Sequence, residues 1–189
     1  ISPDALIYIT EQVTPLYRWL NERYPLTQGS EFLGSTVEPG VLSNGIRNED
    51  ITRLTFGSDV FDYVLTFDVL EHVPHYVRGV EEIYRCLNPG GLLLVTVPFA
   101  RDSQQNIIRA TLDDNGEIVH HVPPEYHGNP VDPEKGSLCF QYFGWEFLDQ
   151  LRSVGFRKVR VVLYWSAAYG YLGEGEQMLL IAEKPLGFG

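Results

Sequence analysis

Apolar residues run from Leu6 to Ile9 and stop at Thr10, a short segment of the kind buried on both faces of a parallel sheet, so a first strand is predicted over residues 6–10. The period then changes. Leu16, Trp19 and Leu20 recur at helical spacing behind Thr14, a good N-cap, and Pro15, which suits the first helical turn; the helix should stop before Pro25. Weaker extended segments are expected at residues 28–33 and 45–47, separated by a proline- and glycine-rich stretch. Residues 61–67 predict a strong buried strand, followed by a helix over residues 76–87 with Val77, Val80, Tyr84 and Leu87 facing inward. Asn88-Pro89-Gly90-Gly91 should end that helix, and residues 92–97 form the next apolar strand. The β, α, β succession has the spacing of a right-handed parallel crossover.

Residues 101–143 break this rhythm. The stretches 106–112 and 117–122 flank Asp113-Asp114-Asn115-Gly116, which predicts a hairpin, and Pro123, Pro124, Pro130 and Pro133 mark an irregular loop. Helical periodicity returns over residues 145–154 with Phe147, Leu148 and Leu151 on one face and Gly155 as the C-terminal cap. Residues 159–165 and 178–183 predict two closing strands with a glycine-rich connection. Tyr164, Trp165, Tyr169 and Tyr171 are expected to pack in the core and at its rim.

A chain of 189 residues suits a single domain with its own core. Its formal net charge of −11 repels phosphate backbones and disfavours nucleic acid as a partner. No apolar run reaches the ~18 to 20 residues that a membrane helix needs, so no membrane role is expected. Cys86 and Cys139 lie far apart without metal-ligand spacing and read as reduced thiols of a cytoplasmic protein.

The run Phe61-Asp62-Tyr63-Val64-Leu65-Thr66-Phe67-Asp68-Val69-Leu70-Glu71-His72-Val73, with Asn88-Pro89-Gly90-Gly91 and the apolar strand behind it, resembles class I S-adenosylmethionine-dependent methyltransferases, and within them the small-molecule, type 11-like group. The resemblance implies a three-layer Rossmann-like α/β fold with a mostly parallel seven-stranded sheet and an antiparallel last strand. It implies S-adenosylmethionine as cofactor, bound across the carboxyl ends of the first four strands, where open α/β sheets take their ligands. Methyl transfer to a small-molecule acceptor is the expected activity. Such domains usually carry helices ahead of the first strand, so residues 1–189 are expected to be one N-terminally truncated domain with an acceptor lid at about residues 100–143.

On the matching positions, Glu31 would hold the ribose hydroxyls, with Phe32 beside it. Asp50, or Glu49 if the register slips, would accept from the adenine amino group, with Ile51 over the ring. Phe67 and Asp68 would face the methionine part and the reacting methyl. Each has a plainer reading: Glu31 as a solvated strand-end charge, Asp50 as a helix cap. Methyl transfer from a sulfonium is an in-line displacement governed by alignment, and a base is needed only for a protonated or weak acceptor. His72, His121 and His127 are the candidates, beside His120, Glu125 and Tyr126; adjacent histidines on a strand face opposite ways, so at most one of His120 and His121 faces the site. Their spacing is not that of a metal site, and no metal is expected.

One departure stands out. The family follows its first strand with an acidic residue and three alternating glycines, which let bare backbone approach the cofactor. Here Tyr8 stands at the acidic position and Thr10, Gln12 and Thr14 at the glycine positions, while Glu11 is the candidate replacement for the carboxylate. A cofactor held with the help of Thr10 and Glu11 is the first expectation. A non-catalytic binding module of the same fold is the alternative, and a nucleotide-binding oxidoreductase, which needs the same glycines, the third.

Overall fold

The computed structural model describes residues 1–170 and 177–187, which leaves Tyr171 outside the described residues. The chain runs through β1 (Ile7–Ile9), α1 (Pro15–Arg23), β2 (Gln28–Gly29), β3 (Leu42–Ser43), β4 (Ile46–Arg47), β5 (Phe61–Phe67), α2 (Tyr76–Cys86) and β6 (Leu87–Thr96). An insertion of short strands follows: β7 (Ile107–Ile108), β8 (Ala110–Leu112), β9 (Ile118–His120), β10 (Tyr126–His127), β11 (Ser137–Leu138) and β12 (Gln141–Tyr142). The domain closes with α3 (Glu146–Val154), β13 (Arg157–Tyr164) and β14 (Gln177–Glu183).

The central sheet has the order β13-β14-β6-β5-β1-β2. β2, β1, β5 and β6 are parallel, and β14, the last strand, is antiparallel to both its neighbours. The described sheet thus holds six strands; beside β2, the seventh place carries only a parallel bridge between Glu31 and Asn48. Residues 45–47, expected as a strand of this sheet, instead form one arm of the β3–β4 hairpin. Positive φ at Gly40, Asn44 and Gly45 turns the chain too often for a longer ladder.

Period-two alternation sorts side chains between the layers. Tyr8, Val64 and Leu93 lie side by side in register and pack toward α2 and α3, whereas Ile9, Leu65 and Leu94, one step on, pack on the α1 side. The α2 stripe runs through Tyr76, Val80 and Ile83, at i, i+4 and i+7, which leaves Val77 exposed rather than inward. Phe147, Leu148 and Leu151 of α3 are buried, as their spacing predicts. On α1, Thr14 accepts from the Tyr17 amide as the cap, but only Leu20 is buried, and Leu16 and Trp19 are exposed.

The Asn88-Pro89-Gly90-Gly91 turn does not follow the helix as a separate loop. α2 ends at Cys86 and the strand pairing starts at Leu87, with a register shift opposite Phe61 and Tyr63 that absorbs the extra residues. A side chain at Gly91 would meet the Asn88 and Phe61 carbonyl oxygens at 2.8 and 3.0 Å, so the turn requires glycine there. Trp165 and Tyr169, expected to pack in the core and at its rim, instead lie exposed. Among the described residues no helix is long and apolar enough to cross a membrane.

Candidate functional site

The parallel strands β1, β2 and β5 open at their carboxyl ends onto a cavity of about 370 Å³, on the line where the chain switches from one side of β1 to the other. Thr10, Glu31, Asp50, Ile51, Asp68 and His72 all border it, with Phe32 at an exposed edge. Residues of the insertion, among them Leu112, Asn129 and Val131, complete its wall.

The turn after β1 leaves this space open. Gln12 points away: its side-chain oxygen accepts from the Arg47 amide at 2.8 Å and its amide donates to the Gly45 carbonyl at 2.9 Å. Thr14 is used in capping α1. Glu31 reaches back across the turn, its Oε1 accepting from the Gln12 amide at 2.6 Å and the Val13 amide at 3.0 Å. Hydrogen bonds to carboxylate therefore fix a turn that lacks glycine. Thr10 alone of the three substituted positions enters the cavity, and its Oγ1 is buried without a hydrogen-bond partner among the described residues. Such an orphaned hydroxyl at a cavity wall fits a polar ligand.

Tyr8, at the position of the expected acidic residue, is fully buried. Its hydroxyl shares a 2.7 Å hydrogen bond with Ser30 Oγ, its ring packs on Phe56 and Phe61, and burial holds the hydroxyl well above its ordinary pKa. Glu11 does not border the cavity; burial, countered by Thr14, raises its carboxyl. Asp50 Oδ1 accepts from the Thr52 amide and hydroxyl at 2.9 and 2.7 Å, capping a short 3-10 turn, so its cap reading holds while the residue also lines the cavity. Glu49 is buried and paired with Arg47 and Thr55. Phe67 faces the other side of the sheet, where it borders a second hollow with Leu16 and Trp19, while its neighbour Asp68, at the end of the strand, borders both spaces. Asp68 holds a left-handed conformation, φ 51°, where the chain turns off β5.

The three candidate bases part company. His121 lies exposed on the β8–β9 hairpin, its ring bonded to Thr111 at 3.0 Å, and is not brought to the cavity; the hairpin carries it outward. His72 and His127 meet instead around Glu71, whose importance the sequence pattern did not reveal. Glu71 is fully buried, and both its carboxylate oxygens lack a hydrogen-bond partner among the described residues. His72 Nε2 and His127 Nδ1 each stand 3.6 Å from Glu71 Oε1. Burial pushes the Glu71 carboxyl up to about 7 and lowers His72. A glutamate before a histidine on the turn after a strand was visible in the sequence; its burial, and the approach of His127 from the insertion, were not.

A family model described as a methyltransferase domain matches residues 18–152. No curated protein matches the chain. Among solved structures, the chain is similar to an S-adenosylmethionine-dependent methyltransferase from Mesorhizobium loti, at 16% identity and TM-score 0.59 over 97% of this chain and 93% of that one. A methyltransferase from Haloferax volcanii, solved with a methyltransferase activator, gives 14% and 0.58 over 100% and 86%. The 1,6-didemethyltoxoflavin N1-methyltransferase of Burkholderia thailandensis, solved with that compound and S-adenosylhomocysteine, gives 16% and 0.51 over 96% and 71%. With the family match spanning most of its length and this strand order beneath it, the chain belongs to the methyltransferase domain family and has the class I S-adenosylmethionine-dependent methyltransferase fold.

Proposed function

We propose that the chain transfers a methyl group from S-adenosylmethionine to a small-molecule acceptor. The observation that carries this reading is the cavity at the carboxyl ends of β1, β2 and β5, which remains open although the glycine turn is missing. In it, Glu31 keeps Oε2 for the ribose hydroxyls while Oε1 holds the turn, Ile51 offers an apolar wall to the adenine, and Asp50 lies beside it. Thr10 Oγ1 and Asp68 stand toward the methionine part. Bound there, S-adenosylmethionine supplies an electrophilic methyl on a sulfonium, open to in-line displacement. The chain's own residues align the acceptor, and the wall built by the insertion limits water. Acceptor activation falls to the Glu71, His72 and His127 cluster at the lid side, not to His121.

Titration calorimetry with S-adenosylhomocysteine tests the reading: one site is expected, with Asp68→Asn binding at least about tenfold more weakly, equivalent to ~1.4 kcal/mol. Absence of binding by the wild-type chain would overturn it and leave a binding module of the same fold. Transfer of a labelled methyl group to a panel of hydroxyl- and amine-bearing metabolites then identifies the acceptor.

A further inference from the structure

The Glu71 cluster holds more lone pairs than its surroundings satisfy. His72 Nδ1 lies 2.9 Å from the Leu138 carbonyl oxygen, which only accepts, so the ring proton belongs on Nδ1 and the Nε2 lone pair faces Glu71. His127 Nε2 lies 3.1 Å from Glu125 Oε1, which places its proton there and turns the Nδ1 lone pair toward Glu71 as well. Glu125 is fixed in turn by the Tyr142 hydroxyl and by Arg109 at 3.0 Å. Three acceptors therefore converge, the donor atoms of the three residues lying within 4.8 Å of one another. One of them is a buried carboxylate oxygen with no donor among the described residues. At 3.6 Å the gaps are too wide for a shared proton to make good hydrogen bonds.

We infer that Glu71, His72 and His127 bind one divalent transition-metal cation beside the part of the cavity wall that His72 forms. Two imidazole nitrogens and a carboxylate suit a zinc-like ion, whose tetrahedral donors at bond lengths of ~2.0 to 2.2 Å stand about 3.3 to 3.5 Å apart. The two separations of 3.6 Å to Glu71 need only a small contraction, while the two imidazole nitrogens, which lie within 4.8 Å of each other, close further on the ion by rotation of the half-exposed His127 ring. The outer partners are those of a metal site too: a backbone carbonyl behind one histidine and a carboxylate behind the other fix the tautomers and orient the rings. Of the three residues only His72 also borders the cavity, so an acceptor would reach the ion past the His72 side of the wall. On the methyl-transfer reading proposed above, this favours a hydroxyl-bearing acceptor, whose acidity rises when its oxygen is coordinated.

Metal binding is measured without cofactor or acceptor, so its failure is separable from failure of the transfer reading. Chelator-stripped protein is titrated with zinc chloride by calorimetry and with cobalt chloride by visible absorption. One equivalent, a ligand-field spectrum and a rise in melting temperature with zinc are expected. Glu71→Gln, nearly isosteric, and His127→Ala, on a half-exposed strand, should abolish all three. Glu125→Gln should weaken binding by about 10- to 100-fold, and His121→Ala should leave it unchanged. No binding by the wild type, equal binding by a folded Glu71→Gln variant, or loss of binding in His121→Ala instead would each overturn the site. Folding of every variant is checked by near-ultraviolet circular dichroism.

Discussion

Replacing Glu31 by alanine removes the acceptor that closes the turn after β1. Its Oε1 accepts two amide hydrogen bonds, from Gln12 at 2.6 Å and Val13 at 3.0 Å. Hydrogen bonds to a charged group contribute roughly 1.5–3 kcal/mol each, but this carboxylate is partly exposed and the second bond adds less than the first, so about 2–3 kcal/mol of stability should be lost. For a chain of this size 1 kcal/mol shifts the melting temperature by about 2–4 °C, giving a fall of about 4–12 °C. Glu31→Gln keeps an acceptor oxygen in place and should cost only about 1 kcal/mol. Urea unfolding at matched slopes reads both variants. S-adenosylhomocysteine titration gives an independent readout, in which Glu31→Gln should bind about tenfold more weakly despite its retained fold, a difference of ~1.4 kcal/mol. An alanine variant that melts within about 1 °C of wild type would refute the claim that the carboxylate replaces glycine in organising the turn.

Three further outcomes follow from the packing. Gly29→Ala puts a methyl group 2.6 Å from the Tyr17 ring and 2.8 Å from the Glu11 carbonyl oxygen, so it should destabilise by about 1–3 kcal/mol in urea unfolding; a neutral substitution would show that α1 shifts freely on the sheet. Lys184 Nζ donates to the Tyr84 and Leu87 carbonyl oxygens at 2.9 and 2.8 Å and pairs with Asp59, tying the end of the last strand to the carboxyl end of α2. Lys184→Met should cost about 2 kcal/mol in thermal or urea unfolding, since it leaves those carbonyls unpaired. Burial raises the Cys86 and Cys139 thiols to about 11, so the reactive thiolate is scarce at pH 8. A disulfide reagent should therefore label both only after denaturant is added, and rapid labelling of native protein would contradict their burial.

Local signals carried the architecture because they act over short distances. Continuous apolar runs at β5 and β6 fixed buried parallel strands, Thr14-Pro15 fixed the start of α1, and Asp113 to Gly116 fixed the hairpin. The Asp68 to His72 run and the Asn88 to Gly91 turn pointed to the family, and the residue positions they implied placed Glu31, Asp50 and Ile51 on one cavity wall. Where local signals conflicted, tertiary context decided. The packing of α2 on the sheet through Tyr76, Val80 and Ile83 turned Val77 to solvent.

By itself the sequence determined the strand and helix order, and through it the sheet end at which a ligand binds, because hydrophobic period and turn chemistry are properties of neighbouring residues. Only the tertiary structure decided that Gln12 turns away while Glu31 closes the turn, that Phe67 faces the opposite side of the sheet, and that His127 rather than His121 joins Glu71 and His72. Those outcomes depend on which side chains distant segments bring into contact, and on the burial that leaves a carboxylate without a donor. Spacing along the chain does not encode either.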